Sequence, residues 1–370
     1  MLSLTAKENI SRNFEGIFDV TLREGEQFSG PISIESDGSR RAHPHEFNLT
    51  EATAILQMLN KIGIRKAEVS NPLAKGMENL IRNLLMLSER PELFAHVRNN
   101  PMDIDSALRL GIDGINILTT VDLQRLSKMD HTLESYLELL ANVITQAQKQ
   151  NVKVSVGIEH GWNIPLTATL PIYRLADHCH VESIRIADTT GIATHWDVRE
   201  KIATLRELFP NLIIRVHFHN DFLGAVSNGL EALASGANEV DGTLGGGIGE
   251  RTGTIPSSVL LARFITLAPD IIKKQRYHPE YVTEADNLVA QIVGINLPRN
   301  VITSKGAFAH RAGTHIKQVI DYGPTKGTSR YEPFSPGLIG NERLIVNGTN
   351  VSGKTTDTQV KEFYLQSGKA

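Results

Sequence analysis

The run Val216-His217-Phe218-His219-Asn220-Asp221 places two imidazoles one residue apart. Read as a strand, it sends Leu212, Ile214, Val216 and Phe218 to one face and His217 and His219 to the other. Two imidazoles one pleat apart can bind a single divalent ion. The competing reading is a pair of unrelated core histidines, costly to bury without partners. A second run, Asp19-Val20-Thr21-Leu22-Arg23-Glu24-Gly25-Glu26-Gln27, offers Glu24 as a third ligand. It also offers Arg23 as a fixed guanidinium for an anionic substrate or a developing oxyanion. Taken alone, such a run is more often a solvated turn. A third run, Gly245-Gly246-Gly247-Ile248-Gly249-Glu250-Arg251, either cradles an anionic cofactor on close-approaching backbone or is no more than a turn.

These runs need a scaffold that brings them together. Strand candidates are Gly16–Leu22, Lys66–Ser70, Phe94–Arg98, Gly114–Leu118, Val152–Ile158, Ser183–Ala187, Leu212–His219 and Glu239–Thr243. Between them lie stretches such as Thr50–Ile62, His131–Gln150, Trp196–Leu208 and Leu223–Ala234, with apolar residues at helical spacing. Such alternation implies right-handed βαβ units and a parallel sheet. Eight units over about 250 residues favour an α/β fold of the TIM (β/α)8 type over an open doubly wound sheet. In a closed barrel the first and seventh strands are separated only by the eighth, so Glu24 can meet His217 and His219. Glu68, His96, Arg98, Glu159, Asp188 and Thr189 fall at the same strand ends. That end is where sites assemble in this architecture.

Two segments break the repeat. Phe28 to Phe47 is polar and rich in Ser, Gly, Pro and His, too long for an ordinary connection. It reads as a lid, a disordered segment or a tolerated surface insertion. After Ala268 the alternation stops, and Asn287–Val293 and Ala307–Ile320 read as helices. The expected organisation is a catalytic barrel over 1–268, a mostly helical C-terminal extension over 269–354, and a fraying polar tail over 355–370.

The totals are those of an ordinary soluble globular protein. Of 370 residues, 41% are hydrophobic and 21% charged, and the formal net charge is -3, which leaves no basic excess for nucleic acid. The single cysteine, Cys179, excludes an internal disulfide and suits a reducing cytoplasm. The start of the chain carries Lys7, Glu8 and Arg12 without an apolar core, unlike a signal peptide. No apolar run approaches the ~20 residues of a membrane span. The expectation is a cytoplasmic protein with small-molecule substrates and no nucleic-acid or membrane partner.

Four motifs in order then carry a resemblance: Thr21-Leu22-Arg23-Glu24-Gly25-Glu26-Gln27, His217-Phe218-His219-Asn220-Asp221, Gly247-Ile248-Gly249-Glu250-Arg251, and Ala307-Phe308-Ala309-His310-Arg311-Ala312-Gly313-Thr314-His315. The chain resembles the acyl-CoA Claisen-condensing enzymes, which include homocitrate and 2-isopropylmalate synthases and share a barrel with 3-hydroxy-3-methylglutaryl-CoA lyase. The likeness runs from about Phe18 to Lys354. It implies Glu24, His217 and His219 as ligands of a divalent metal, Zn first and Mn or Mg as alternatives, with acetyl-CoA as co-substrate. Arg23 would sit over the ketone oxygen, and Thr189 would hold the 2-oxo acid carboxylate. Glu159 and Glu250 match acidic residues of the family's active site. His315 and Tyr331 match a histidine and a tyrosine lent by the partner subunit, which implies a homodimer with shared sites. His315, working with Glu159 or Glu250, is the candidate base, with a purely positioning role as the alternative. Gly246, Gly247 and Gly249 are the candidate cofactor contacts. Gln27, Glu68, His96, Arg98, Ser155 and Gly157 join Arg23 and Thr189 as the substrate pocket.

The pocket departs from the homocitrate pattern. Ser155 and Gly157 stand where homocitrate synthases carry an arginine and a serine that grip the distal carboxylate of 2-oxoglutarate, and Asn116 stands for an aspartate. Without that arginine a second buried carboxylate would lack its charge partner. The expected substrate is therefore a 2-oxo acid with an apolar or aromatic side chain, giving 2-isopropylmalate or 2-benzylmalate. Homocitrate synthesis is the alternative, with His96 and Arg98 taking the anion. Two further alternatives are a 3-hydroxy-acyl-CoA lyase on the same scaffold and a catalytically silent binding barrel.

Overall fold

Alternation within each barrel strand decides what faces inward. Val154, Val156, Ile184, Ile186, Val216 and Phe218 are buried against surrounding helices, whereas Ser155, Arg185 and His217 alternate with them into the barrel. The computed structural model describes residues 4–324, 327–346 and 357–365. The barrel strands are β1 (Gly16–Asp19), β2 (Lys66–Val69), β3 (Glu92–Arg98), β4 (Gly114–Thr119), β5 (Lys153–Ile158), β6 (Ser183–Asp188), β7 (Ile214–Phe218) and β8 (Glu239–Gly242). They close as a parallel barrel in which β8 lies between β1 and β7. The TIM-type architecture read from the sequence is the architecture found. Register places Gly157 beside Arg185, Arg185 beside Arg215, and Phe18 beside Asp241.

Helix starts are written locally. Asn48 with Glu51, Thr132 with Ser135, and Thr194 with Asp197 form reciprocal capping boxes, each worth about 1 kcal/mol. The first strand ends at Asp19, earlier than the sequence reading, because the Asp19 carboxylate accepts from the Thr21 amide and hydroxyl, both at 2.9 Å. That contact turns the chain into a helical turn, Thr21–Gly25, which buries Arg23 and Glu24. Leu4–Asn13, unforeseen in the sequence, is a helix that packs beside Ala225–Ser235, with Asn9 and Asn13 donating to Ala234 and Leu233 carbonyls.

The 28–47 insertion is ordered as a small antiparallel hairpin, Ile32–Ile34 against Arg40–Ala42. Beyond residue 268 the barrel core continues. Ile271, Tyr277, Val282, Ala285 and Val289 belong to it, and the Tyr277 hydroxyl accepts from the Ile17 amide at 3.0 Å. A separate small core of Ile316, Val319, Ile345 and Phe363 lies further on. Asp357–Leu365 is helical, not a frayed tail, because Phe363 is buried and the Tyr364 hydroxyl pairs with both backbone groups of Ile345. Val351–Lys354, where the family likeness ends, lie outside the described residues. Among the described residues no helix is long and apolar enough to cross a membrane.

Candidate active site

The helical turn after β1 and the end of β7 converge at the C-terminal mouth. His217 Nδ1 lies 3.0 Å from Asp241 Oδ2, and a carboxylate can only accept, so that nitrogen carries the proton. The Nε2 of His217 is thereby aimed at Glu24 Oε1, 3.3 Å away, and at His219 Nε2, 3.4 Å away. Ligand atoms of Glu24, His217 and His219 all lie within 4.8 Å of one another. Three such groups converging suit a cation once Nε2 of His217 gives up its proton, and a carboxylate behind a ligating histidine fixes the orientation of its ring. His219 Nδ1 is buried with no partner, so packing alone does not explain its position.

Electrostatics agree. Burial alone would raise the Glu24 carboxyl, but Arg23 and His217 hold it well below the usual carboxylate range. Burial and the neighbouring His217 push the His219 imidazole down to about 4, leaving it neutral and able to ligate. Burial would also lower His217, yet hydrogen bonds to Asp241 and Glu24 prevail and raise it, so an ion must displace the proton that Nε2 shares with Glu24.

Arg23 lies on the same turn, bonded to Glu24 and, at 3.1 Å, to Gln27 Oε1, with its Nε 3.7 Å from Glu68 Oε2. Glu68 is fully buried and joins three groups: Arg23, His96 Nδ1 at 2.7 Å and Arg185 Nη1 at 2.6 Å. Ser155 faces the interior and bonds the Ser183 hydroxyl at 2.8 Å. Thr189 accepts from the His160 amide at 2.9 Å, which leaves its hydroxyl proton free to donate. Its carbonyl is gripped by Arg251, which also clamps Asp221.

Arg98 and Glu250 stand differently from their expected roles. Arg98 turns away from the barrel axis onto Asp103, with two 2.8 Å bonds, so it does not supply the interior guanidinium. The Glu250 side chain is exposed toward Arg251; only its backbone N–H reaches Glu24, at 3.3 Å. In the glycine loop, the open faces of the glycines meet protein. A side chain on Gly246 would meet Leu297 and Val301, and one on Gly247 would meet Pro256 and the Thr254 carbonyl. The loop is packed on protein, and buried Asp286 accepts from the Gly245 and Gly246 amides as well as from the Ser258 and Thr303 hydroxyls, the latter two at 2.6 and 2.5 Å.

Glu159, at the end of β5, pairs with Arg125 beside a cavity of about 260 Å³ that Arg98, His131 and Tyr136 also line. His315 stacks on Tyr331, ring centroids 3.7 Å apart, and its other ring neighbour is His310. The interior residues not foreseen are Arg185, Arg215 and Asp241. Their signal was the alternation already used for His217: Ile184-Arg185-Ile186 has the same pattern.

Gly249 contributes by lacking a side chain. A methyl there would sit 2.9 Å from Glu24 Oε2, at a φ of +154° that L residues rarely adopt. Gly249→Ala is expected to weaken divalent-metal binding by about 10–100-fold, the usual scale for disturbing a ligand's support. Competition with a chromophoric chelator measures this; unchanged affinity would remove the loop from that role.

A buried Glu-His-His set at the C-terminal mouth of a closed (β/α)8 barrel, backed by carboxylate and guanidinium groups, is the site of a metal-assisted enzyme. The HMGL-like family model matches residues 16–289. The cytosolic homocitrate synthase isozyme of Saccharomyces cerevisiae is 30% identical over 365 residues, spanning 95% of this chain and 80% of that protein. Homocitrate synthase AksA of Methanopyrus kandleri is 27% identical over 354 residues, 95% of this chain and 83% of that one. Hydroxymethylglutaryl-CoA lyase of Pseudomonas aeruginosa shares the fold, with a TM-score of 0.61 at 15% identity over 81% of this chain and 97% of that one. The chain belongs to the HMGL-like family, in its acyl-CoA Claisen-condensing branch.

Proposed function

We propose that this protein condenses the acetyl group of acetyl-CoA with a 2-oxo dicarboxylic acid, as a homocitrate synthase does, and releases CoA. The observation carrying this reading is end-to-end likeness to homocitrate synthases at about 30% identity. It replaces the apolar substrate expected from Ser155 and Gly157. That expectation rested on the lack of an arginine on β5 for the distal carboxylate, and Arg185 of β6 stands directly beside Gly157.

In this reading Glu24, His217 and His219 hold the ion, with zinc favoured by the two imidazoles. When bound, it polarises the substrate ketone as a Lewis acid. Arg23 donates to the ketone oxygen as negative charge develops there. The Thr189 hydroxyl donates to the 1-carboxylate. His315, held against Tyr331, takes a proton from the acetyl methyl, and the resulting carbanion equivalent attacks the ketone carbon. Hydrolysis of the thioester then makes the sequence irreversible. His315 and Tyr331 act on the partner's barrel, so the enzyme is a homodimer with shared sites.

Comparing kcat/KM for 2-oxoglutarate, 2-oxoisovalerate and phenylpyruvate by CoA release tests the substrate. The dicarboxylate is expected to win by at least about tenfold, since an unpaired buried cation is penalised more than a missing methylene. Preference for either apolar acid would restore the alkylmalate reading.

A further inference from the structure

The geometry points to the Nε–Nη2 edge of Arg185 as the seat of the substrate's second carboxylate, in space that Gly157 keeps open. This assignment rests on the dicarboxylate reading above and names the residue that would carry it.

Arg185 is 3% exposed, so its five donors must find acceptors inside the protein. Nη1 does: Glu68 Oε2 is 2.6 Å away and Asp241 Oδ2 is 3.4 Å away. The other edge does not. Nε is buried with no partner at all. The neighbour of Nη2 is His96 Nδ1, at 3.1 Å, and that nitrogen is also 2.7 Å from Glu68 Oε1. One ring nitrogen cannot donate to Glu68 and accept from Arg185 at once. Burial depresses the His96 imidazole, so Nδ1 of the neutral ring meets the carboxylate with its single proton. Nη2 is then left without an acceptor.

Two parallel N–H groups of a buried guanidinium, both lacking an acceptor, match the two oxygens of a carboxylate. The same edge faces β5. A Cβ built on Gly157 would lie 3.3 Å from Arg185 Nε and 3.6 Å from its other edge nitrogen, Nη2. A carboxylate oxygen bonded to that edge would sit closer still, at about 2.7–3.2 Å, so a Cβ at 157 would overlap the carboxylate. A side chain at 157 would therefore crowd that edge of Arg185, and glycine does not. Register sets the pair side by side, Gly157 on β5 and Arg185 on β6. The edge is also near the reacting end of the pocket, because Glu68 Oε2 links Arg185 to Arg23.

Two substitutions separate this role from a structural one. Arg185→Lys keeps a positive charge beside Glu68 but removes the two-toothed edge. Gly157→Ala leaves every charge in place and puts a methyl into the seat. Each is expected to lower kcat/KM for 2-oxoglutarate by about 30–100-fold while leaving 2-oxobutyrate, which has no second carboxylate, within about threefold. Calorimetric titration of the metal-loaded protein should show the same loss of 2-oxoglutarate affinity, with pyruvate unaffected. Parallel loss for both substrates would assign Arg185 to holding the fold, and no loss for either would remove it from the pocket; both overturn the assignment while leaving the dicarboxylate reading intact. A wild-type enzyme that does not turn over 2-oxoglutarate overturns that reading itself. If the lysine variant does not fold, Gly157→Ala alone decides.

Discussion

His219→Ala is expected to lose stoichiometric metal and to lower kcat/KM by at least about 10³-fold, roughly 4 kcal/mol of barrier, while the barrel stays folded. The selectivity of the effect follows from what His219 touches. Its Nε2 faces His217 Nε2, and its Nδ1 has no protein partner. No hydrogen-bond network collapses when the ring is removed. His217 differs, because its Nδ1 is bound to Asp241, and replacing it would leave a buried carboxylate short of a donor. His219 is thus the cleanest probe of the three candidate ligands. Elemental analysis against protein concentration, paired with a thermal melt, checks both halves of the expectation. Full metal occupancy in His219→Ala would sink the ligand assignment.

What the sequence made legible here was whatever obeys a period. Apolar residues at Leu212, Ile214, Val216 and Phe218 fixed which way His217 and His219 point, and barrel closure put Glu24 against them. Turns and partnerships are set by single contacts that periodicity does not describe. The chain leaves β1 early because Asp19 captures Thr21. Arg98 shares the inward register of β3, yet Asp103, five residues on, turns its guanidinium outward. Glycines permit close approach, and those of the loop approach Leu297, Pro256 and Glu24, partners that no period in the sequence names. Substrate choice suffered most. Counting in twos along β5 found Ser155 and Gly157 and no arginine, although the same count along β6 reaches Arg185. A pocket is shared between strands, so a charge missing from one can be supplied by its neighbour.

Mixing two inactive proteins, Arg23→Ala and His315→Ala, is expected to restore about a quarter of wild-type activity if subunits exchange freely in a dimer. His315 lies on Gly313–Tyr322, outside the eight βα units, and its ring partners within the chain are Tyr331 and His310. Tyr331 is 44% exposed, so the stacked pair presents a face that its own chain does not cover. In the homodimer proposed above, that face meets the barrel mouth of the other chain. At equal mixing half of the dimers are hybrids. Each hybrid has one site that combines an intact Arg23 from one chain with an intact His315 from the other, and one site lacking both. Sites built within a single chain would give no recovery at any ratio, because every chain carries one lesion. Light scattering on the wild-type protein supplies the second check, since an active monomer would exclude lending of any residue. Replacing Arg23 by lysine in place of alanine keeps the charge next to Glu24 and Glu68, so the mixing experiment survives if Arg23→Ala proves unstable.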